Sequence, residues 1–225
     1  MAGSLTLFRR LYPLALALLC AACSPAPAPV ASSSPTPQDN RRVLVAMGDS
    51  LTEGYGLPQE EAYPAKLEAY LKSQGLDWKV ENSGLSGETS SGAKSRVKWV
   101  LKLKPSAVLL EIGGNDGLRG INPKVTKENI SEIIKAFQAE GIPVMLAGMK
   151  TLSNLGEDYT KAFEGLYPEV AKEQKVPLIP FFLEGVGGDP KLNQEDRIHP
   201  TAQGYEIIVG KIGPIVSPWL ESLPK

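Results

Sequence analysis

The run Val43-Leu44-Val45-Ala46-Met47 breaks off into Gly48-Asp49-Ser50-Leu51-Thr52-Glu53-Gly54, and this junction constrains the fold more than any other stretch of the chain. An apolar run of this length, without polar alternation and with β-branched Val43 and Val45, predicts a strand buried on both faces, as in a parallel sheet. The small and polar residues that follow predict a turn at the strand's C-terminal end. Open α/β sheets bind ligands at that edge. Ser50 therefore stands where a nucleophile would stand. Asp49 and Ser50 suit a turn or a helix cap equally well, so the tripeptide alone leaves the choice open.

From Arg42 onward, strand-like and helix-like segments alternate. Helical spacing of Ala62, Leu67, Tyr70 and Leu71 predicts a helix over 60–74, and 77–81 reads as a short strand. Residues 90–103 read as a helix with Val97, Val100 and Leu101 on one face, and 107–112 as the clearest buried strand. Residues 127–140 form an amphipathic pattern on Ile130, Ile133, Ile134 and Phe137, stopped by Gly141. A strand is expected at 143–147, a helix kinked or broken by Pro168 at 158–174, a strand at 178–182, and a final helix interrupted by Pro214 at 202–220. This alternation predicts the α/β class: a three-layer α/β/α, flavodoxin-like sandwich around a central five-stranded parallel sheet.

Composition removes several function classes. The net charge is −1 over 225 residues and no basic block occurs, so nothing points to nucleic acid. The only cysteines, Cys20 and Cys23, lie near the N-terminus, so the body has no disulfide. With His199 as its one histidine, a zinc site would have to be built mostly from carboxylates, which is unusual. No metal, no cofactor and a monomeric state are expected.

Residues 1–22 read as an export signal: Arg9 and Arg10 precede an apolar stretch, Leu11 to Leu19, too short to span a bilayer. Cys20-Ala21-Ala22-Cys23 resembles a bacterial lipobox, which implies cleavage before Cys23, its lipidation, and a periplasmic, membrane-anchored lipoprotein. Cys20 stands where such motifs usually carry leucine, so cleavage without lipidation stays open. Residues 23–41, rich in Pro, Ala and Ser, read as an extended tether, leaving 42–225 as the folded domain.

Four polar blocks punctuate that domain: Gly48-Asp49-Ser50; Asn82-Ser83-Gly84-Leu85-Ser86-Gly87-Glu88-Thr89; Gly113-Gly114-Asn115-Asp116; and Asp196-Arg197-Ile198-His199. In order and spacing they resemble the four signature blocks of the SGNH (GDSL) hydrolase family, over about residues 43–222. Glu111-Ile112-Gly113-Gly114-Asn115-Asp116-Gly117-Leu118-Arg119-Gly120 and Ile179-Pro180-Phe181-Phe182 resemble its thioesterase, arylesterase and lysophospholipase branch. The resemblance implies that Ser50 is the nucleophile, His199 its base and Asp196 the carboxylate that orients His199. It also implies an oxyanion hole made by the backbone N–H groups of Ser50 and Gly87 and the Asn115 amide.

These roles make chemical sense: a serine hydroxyl needs a base, and a carboxylate three residues from the histidine can reach Nδ1 and fix its tautomer. Glu195 and Asp189 compete for the carboxylate role and Gly84 for the glycine role, where a Cβ would hinder a backbone donor. Asp49 and Asp116 read as loop stabilisers. Residues 149–158 read either as a substrate-gating loop or as a plain connection.

The expected activity is hydrolysis of acyl esters or thioesters, with aryl esters, lysophospholipids and acyl thioesters as substrates. A glycan O-deacetylase on the same fold and a non-catalytic acyl-binding lipoprotein are the alternatives. Thr52 replaces the second glycine of a Gly-x-Ser-x-Gly elbow, which argues against an α/β-hydrolase. The block at 113–117 lacks the spacing of a phosphate-binding loop.

Overall fold

A computed structural model describes residues 39–151 and 153–224. Strands β1 (Arg42–Gly48), β2 (Trp78–Gly84), β3 (Ala107–Glu111), β4 (Val144–Ala147) and β5 (Leu178–Ile179) pair in parallel in the order β2-β1-β3-β4-β5. This is the expected flavodoxin-like sheet of five parallel strands. Leu44 to Gly48 of β1 and every residue of β3 and β4 are buried, which is why these segments read as unbroken apolar runs.

The helices are α1 (Ser50–Glu53), α2 (Tyr63–Ser73), α3 (Ser90–Ser95), α4 (Val97–Val100), α5 (Gly114–Leu118), α6 (Pro123–Ala139), α7 (Glu157–Gln174) and α8 (Ala202–Ser222). The chain steps from β1 to β2 in one direction and then reverses to β3, β4 and β5. Right-handed crossovers therefore send the helices to opposite faces. Accordingly α2 packs with α8, and α6 with α3 and α7. On α6, Ile130, Ile133, Ile134 and Phe137 are fully buried on one stripe, each side chain contributing about 1.5–3 kcal/mol by leaving water.

Several expected boundaries move, each for a local reason. The helix expected over 90–103 breaks at Arg96 (φ −103°, ψ 7°) into α3, α4 and a 3₁₀ turn at Leu101–Leu103; the Arg96 side chain is drawn inward, as described below. Strand β2 runs on past residue 81 because Asn82, Ser83 and Gly84 pair with Ala46, Met47 and Gly48. Strand β5 stops at Ile179 because Pro180 has no N–H to add to the ladder.

Helix α2 begins at Tyr63, with Pro64 in its first turn and a 3₁₀ turn at Gln59–Glu61 before it. Helix α6 starts at Pro123, earlier than expected, because the Asn122 side chain caps Lys124 N–H at 3.0 Å. Helix α7 starts at Glu157, so residue 158 belongs to it rather than to the loop before it. Pro168 does not break α7, and Pro214 does not interrupt α8. Both prolines lie on exposed helix faces, where the carbonyls they leave unpaired can reach water.

The expected leader, the expected lipidation site Cys23 and the expected tether, as far as residue 38, lie outside the described residues.

Two glycines yield opposite expectations. A Cβ at Gly84 would overlap the backbone of Glu53, whereas Gly210, inside α8, has open space around it. Gly84→Ala should cost about 1–3 kcal/mol or more by overpacking. Gly210→Ala should stabilise by roughly 0.5–1 kcal/mol through helix propensity. Urea unfolding of both variants checks the pair of signs.

Candidate active site

The C-terminal ends of β1, β2 and β3 meet at one junction, with Gly48 pairing both Gly84 and Glu111. Ser50 follows as the first residue of α1. The Asp49 side chain caps this helix by accepting from Leu51 N–H at 3.0 Å. The fourth block arrives from the far end of the chain. Gln194 holds it in place: its N–H donates to His199 O at 2.7 Å, and its Nε2 donates to Tyr55 O at 2.7 Å and Pro200 O at 3.1 Å. Arg197 takes a left-handed conformation (φ 60°) to close the turn.

The result is a continuous relay. His199 Nδ1 lies 2.6 Å from Asp196 Oδ2, and His199 Nε2 lies 2.8 Å from Ser50 Oγ. An ionised carboxylate only accepts, so Nδ1 carries the hydrogen and Nε2 is left to accept from the serine hydroxyl. Burial opposes the charge on Asp196. Hydrogen bonds from the His199 ring and from the backbone N–H groups of His199 and Ile198 outweigh it and hold the carboxyl at about 2. The Tyr55 ring packs 4.6 Å from the imidazole, centroid to centroid.

The three donors expected for an oxyanion keep a hydrogen free of protein partners among the described residues. Among the described residues, neither Ser50 N–H nor Gly87 N–H donates to a protein group. Asn115 Nδ2 donates to Asp49 Oδ2 at 3.2 Å, which leaves its second hydrogen for the cavity it lines together with Gly87. Gly87 is required for its backbone, at φ +75°, and not for lack of room: a Cβ there would meet only Arg119, at ordinary contact distance. Gly84 is no donor, since Asn82 Oδ1 takes its N–H at 2.9 Å. Asp189 caps Lys191 N–H at 2.8 Å.

Buried polar groups fix this arrangement, and two of them were not apparent from the sequence. Arg96 donates to Glu88 at 2.6–2.9 Å, to Ser83 Oγ at 2.8 Å and O at 2.9 Å, and to Gly48 O at 3.2 Å. It ties the turn bearing Gly87 to the strand end bearing Ser50. Glu111, fully buried beneath them, accepts from Thr52 Oγ1 at 2.8 Å. Burial raises its pKa well above the carboxylate range, and the neighbouring Asp49 charge raises it further. Burial also pushes Asp49 up to about 6, against the pull of its bonds to Leu51 and Asn115 and of nearby His199. Asp116 accepts from Ser90 N–H at 2.8 Å, Ser90 Oγ at 2.5 Å and Thr126 Oγ1 at 3.1 Å, so it anchors its loop as expected.

A cavity of about 180 Å³ lies over Ser50, His199, Gly87 and Asn115. A neighbouring one of about 380 Å³ is lined mainly by apolar groups, including Met149, Phe181 and Leu183, and Leu51, Gly114, Leu118 and Ile198 line both. Of the loop that follows β4, Met149, Lys150 and Thr151 line this larger cavity. A third groove, of about 620 Å³, runs between α2 and β2 away from the serine. Among the described residues, no group of three His, Cys, Asp or Glu side chains could hold a metal ion.

Residues 46–207 match the family model described as GDSL-like Lipase/Acylhydrolase family. The chain belongs to this family. It is 37% identical to Esterase TesA of Pseudomonas aeruginosa over 186 residues, 82% of this chain and 92% of that protein. It is 38% identical to Thioesterase 1/protease 1/lysophospholipase L1 of Escherichia coli K12 over 166 residues, 73% of this chain and 78% of that protein. Among solved structures, TesA matches with a TM-score of 0.75 at 37% identity, covering 79% of this chain and 99% of that one. The psychrotrophic esterase EstA from Pseudoalteromonas, inhibited by monoethylphosphonate, matches with a TM-score of 0.76 at 30% identity, covering 80% and 100%. This GDSL-like acylhydrolase thus shares the α/β/α fold of SGNH hydrolases.

Two predictions test the supporting shell. Arg96→Ala leaves the buried Glu88 carboxylate without its partner and should cost about 3–5 kcal/mol in urea unfolding. Between about pH 4 and pH 6 the unfolded chain has lost the Asp49 proton while the folded chain keeps it, so stability falls as pH rises through this window. Asp49→Asn should flatten that slope by roughly 1–3 kcal/mol, read as unfolding free energy against pH.

Proposed function

We propose that this serine esterase hydrolyses acyl esters through an acyl-enzyme on Ser50. The observation that carries the reading is the unbroken relay from Ser50 Oγ through His199 to Asp196, at 2.8 and 2.6 Å. His199 Nε2 takes the hydroxyl proton as Ser50 attacks the acyl carbonyl, and Asp196 stabilises the resulting imidazolium. The Ser50 and Gly87 N–H groups and the Asn115 amide receive the oxyanion. His199 returns the proton to the leaving group, and then draws a proton from the water that releases the acid.

The apolar lining of the 380 Å³ cavity favours an acyl chain over a glycan, and so favours esterase over glycan O-deacetylase chemistry. Aryl esters, lysophospholipids and acyl thioesters are the proposed substrates, in line with relatives named arylesterase and thioesterase 1/lysophospholipase L1. We also propose export, with Cys23 as the lipidated anchor. No helix among the described residues is long and apolar enough to cross a membrane.

Treatment with a fluorophosphonate should leave one adduct, mapped by mass spectrometry to Ser50 and slowed by orders of magnitude in His199→Ala. Asn115→Ala should lower kcat on a p-nitrophenyl ester by about 10²–10³-fold. No adduct on folded protein, or full esterase activity in Ser50→Ala, would overturn the mechanism.

A further inference from the structure

The exposed apolar side chains of this protein are not scattered. Tyr55, Leu85, Leu118, Leu155 and Ile198 are 40–52% exposed. Each comes from a different connection leaving the sheet: the segments after β1, β2, β3, β4 and β5 in turn. The remaining exposed large apolar residues, Trp99, Val125 and Ile215, lie on α4, α6 and α8. The connections at the opposite edge of the sheet (residues 74–77, 104–106, 140–143 and 175–177) contribute none among the described residues. All connections that leave a parallel sheet emerge at one edge, so these side chains form a crown at that edge.

The crown surrounds the entrance to the serine. Leu118 and Ile198 line both cavities, and Tyr55 packs on the His199 ring. Leu85 opens the turn that carries Gly87, its carbonyl accepting from Glu88 N–H at 3.1 Å. Leu155 lies beside Gly120, just beyond Leu118. At the same edge Lys150 and Arg197 line the larger cavity, and among the described residues neither forms an ion pair. Lys150 Nζ sits 4.8 Å over the Phe181 ring. Apolar groups interleaved with unpaired cations match the acyl–headgroup boundary of a phospholipid layer. A protein partner or a second copy seated here would close the mouth of the cavity. A lipid surface would instead deliver an ester into it.

We propose that the C-terminal edge of the sheet is a lipid-contact surface, which seats the mouth of the active site on a phospholipid layer. The proposal rests on the esterase reading, and its test separates the two.

The unit to use is residues 39–225, a compact unit that holds the core and the site; the match to solved TesA covers 99% of that chain with 79% of this one. It is floated with vesicles of phosphatidylcholine and phosphatidylglycerol. It is also assayed on a soluble p-nitrophenyl ester and on a lysophospholipid carried in the vesicles. Leu85→Asp and Leu155→Asp should each lower vesicle partitioning about tenfold, and with it the ratio of vesicle-borne to soluble turnover. Trp99→Asp, outside the crown, should change neither.

A wild-type unit that hydrolyses the soluble ester but does not float overturns the lipid surface and leaves the esterase reading standing. Failure on the soluble ester overturns that reading instead. Equal losses in Trp99→Asp, or a dimer in sedimentation that Leu155→Asp splits without any flotation, also overturn the lipid surface; the second result assigns the crown to self-association.

Discussion

Gly48 pairs with Gly84 on one side and with Glu111 on the other, and the chemistry of this protein depends on that register. A Cβ at Gly48 would overlap Thr52 and the Glu111 carbonyl, so the three strand ends meet more closely than any other residue allows. The groups proposed to face a substrate are then reached in a few residues from each end: Ser50 from Gly48, Gly87 from Gly84, Asn115 from Glu111. Short connections leave little freedom, and their donors are fixed before any ligand arrives. Preorganised donors of this kind pay no reorganisation energy as charge develops on the oxyanion.

The same closeness creates an electrostatic problem beneath the site. Asp49 and Glu111 are both buried, and burial pushes both carboxyls upward; the Asp49 charge raises Glu111 further. Among the described residues neither forms an ion pair with a lysine or arginine. Arg96, the nearby guanidinium, is spent on Glu88 and on the carbonyls of Ser83 and Gly48. The protein thus uses the part-buried Arg96–Glu88 pair to bind strand ends together, and tolerates two acids that ionise reluctantly. Asp49 stays useful in either state. It accepts from Leu51 N–H through one oxygen and from the Asn115 amide through the other, so it caps the helix of the proposed nucleophile and holds a proposed oxyanion donor at once.

Much of this was legible in the sequence because it was written locally. The buried strands β1 and β3 read as apolar runs, and the family's four blocks named Ser50, Gly87, Asn115, Asp196 and His199. What stayed hidden depended on tertiary contact. Nothing in the helical periodicity of residues 90–103 marks Arg96 as a residue that turns inward and breaks the helix. Glu111 belongs to a motif, but only the folded sheet shows it sealed under Thr52. Pro168 and Pro214 misled in the other direction, because an exposed helix face lets water satisfy the carbonyls that a proline abandons. The positive φ of Gly87 was equally hidden, and crowding of a Cβ by other protein atoms belongs to Gly48 and Gly84.

The contrast between the two edges of the sheet follows from the same logic. A parallel sheet forces every connection that leaves a strand onto one edge, so any property shared by those connections becomes a property of one face. In this protein they share both the proposed catalytic groups and five of the exposed apolar residues, whereas among the described residues the connections between helices and the following strands carry neither. Exposed leucine and tyrosine side chains gain nothing in water and add an aggregation hazard. Their confinement to the edge that holds Ser50 is therefore hard to attribute to folding, which would be served as well by polar side chains at Tyr55, Leu85, Leu118, Leu155 and Ile198. An apolar rim around an apolar cavity lets a hydrophobic chain pass from its source to Ser50 without crossing a layer of water. That requirement belongs to the substrate, and the sheet topology makes it possible to meet it with one residue from each connection.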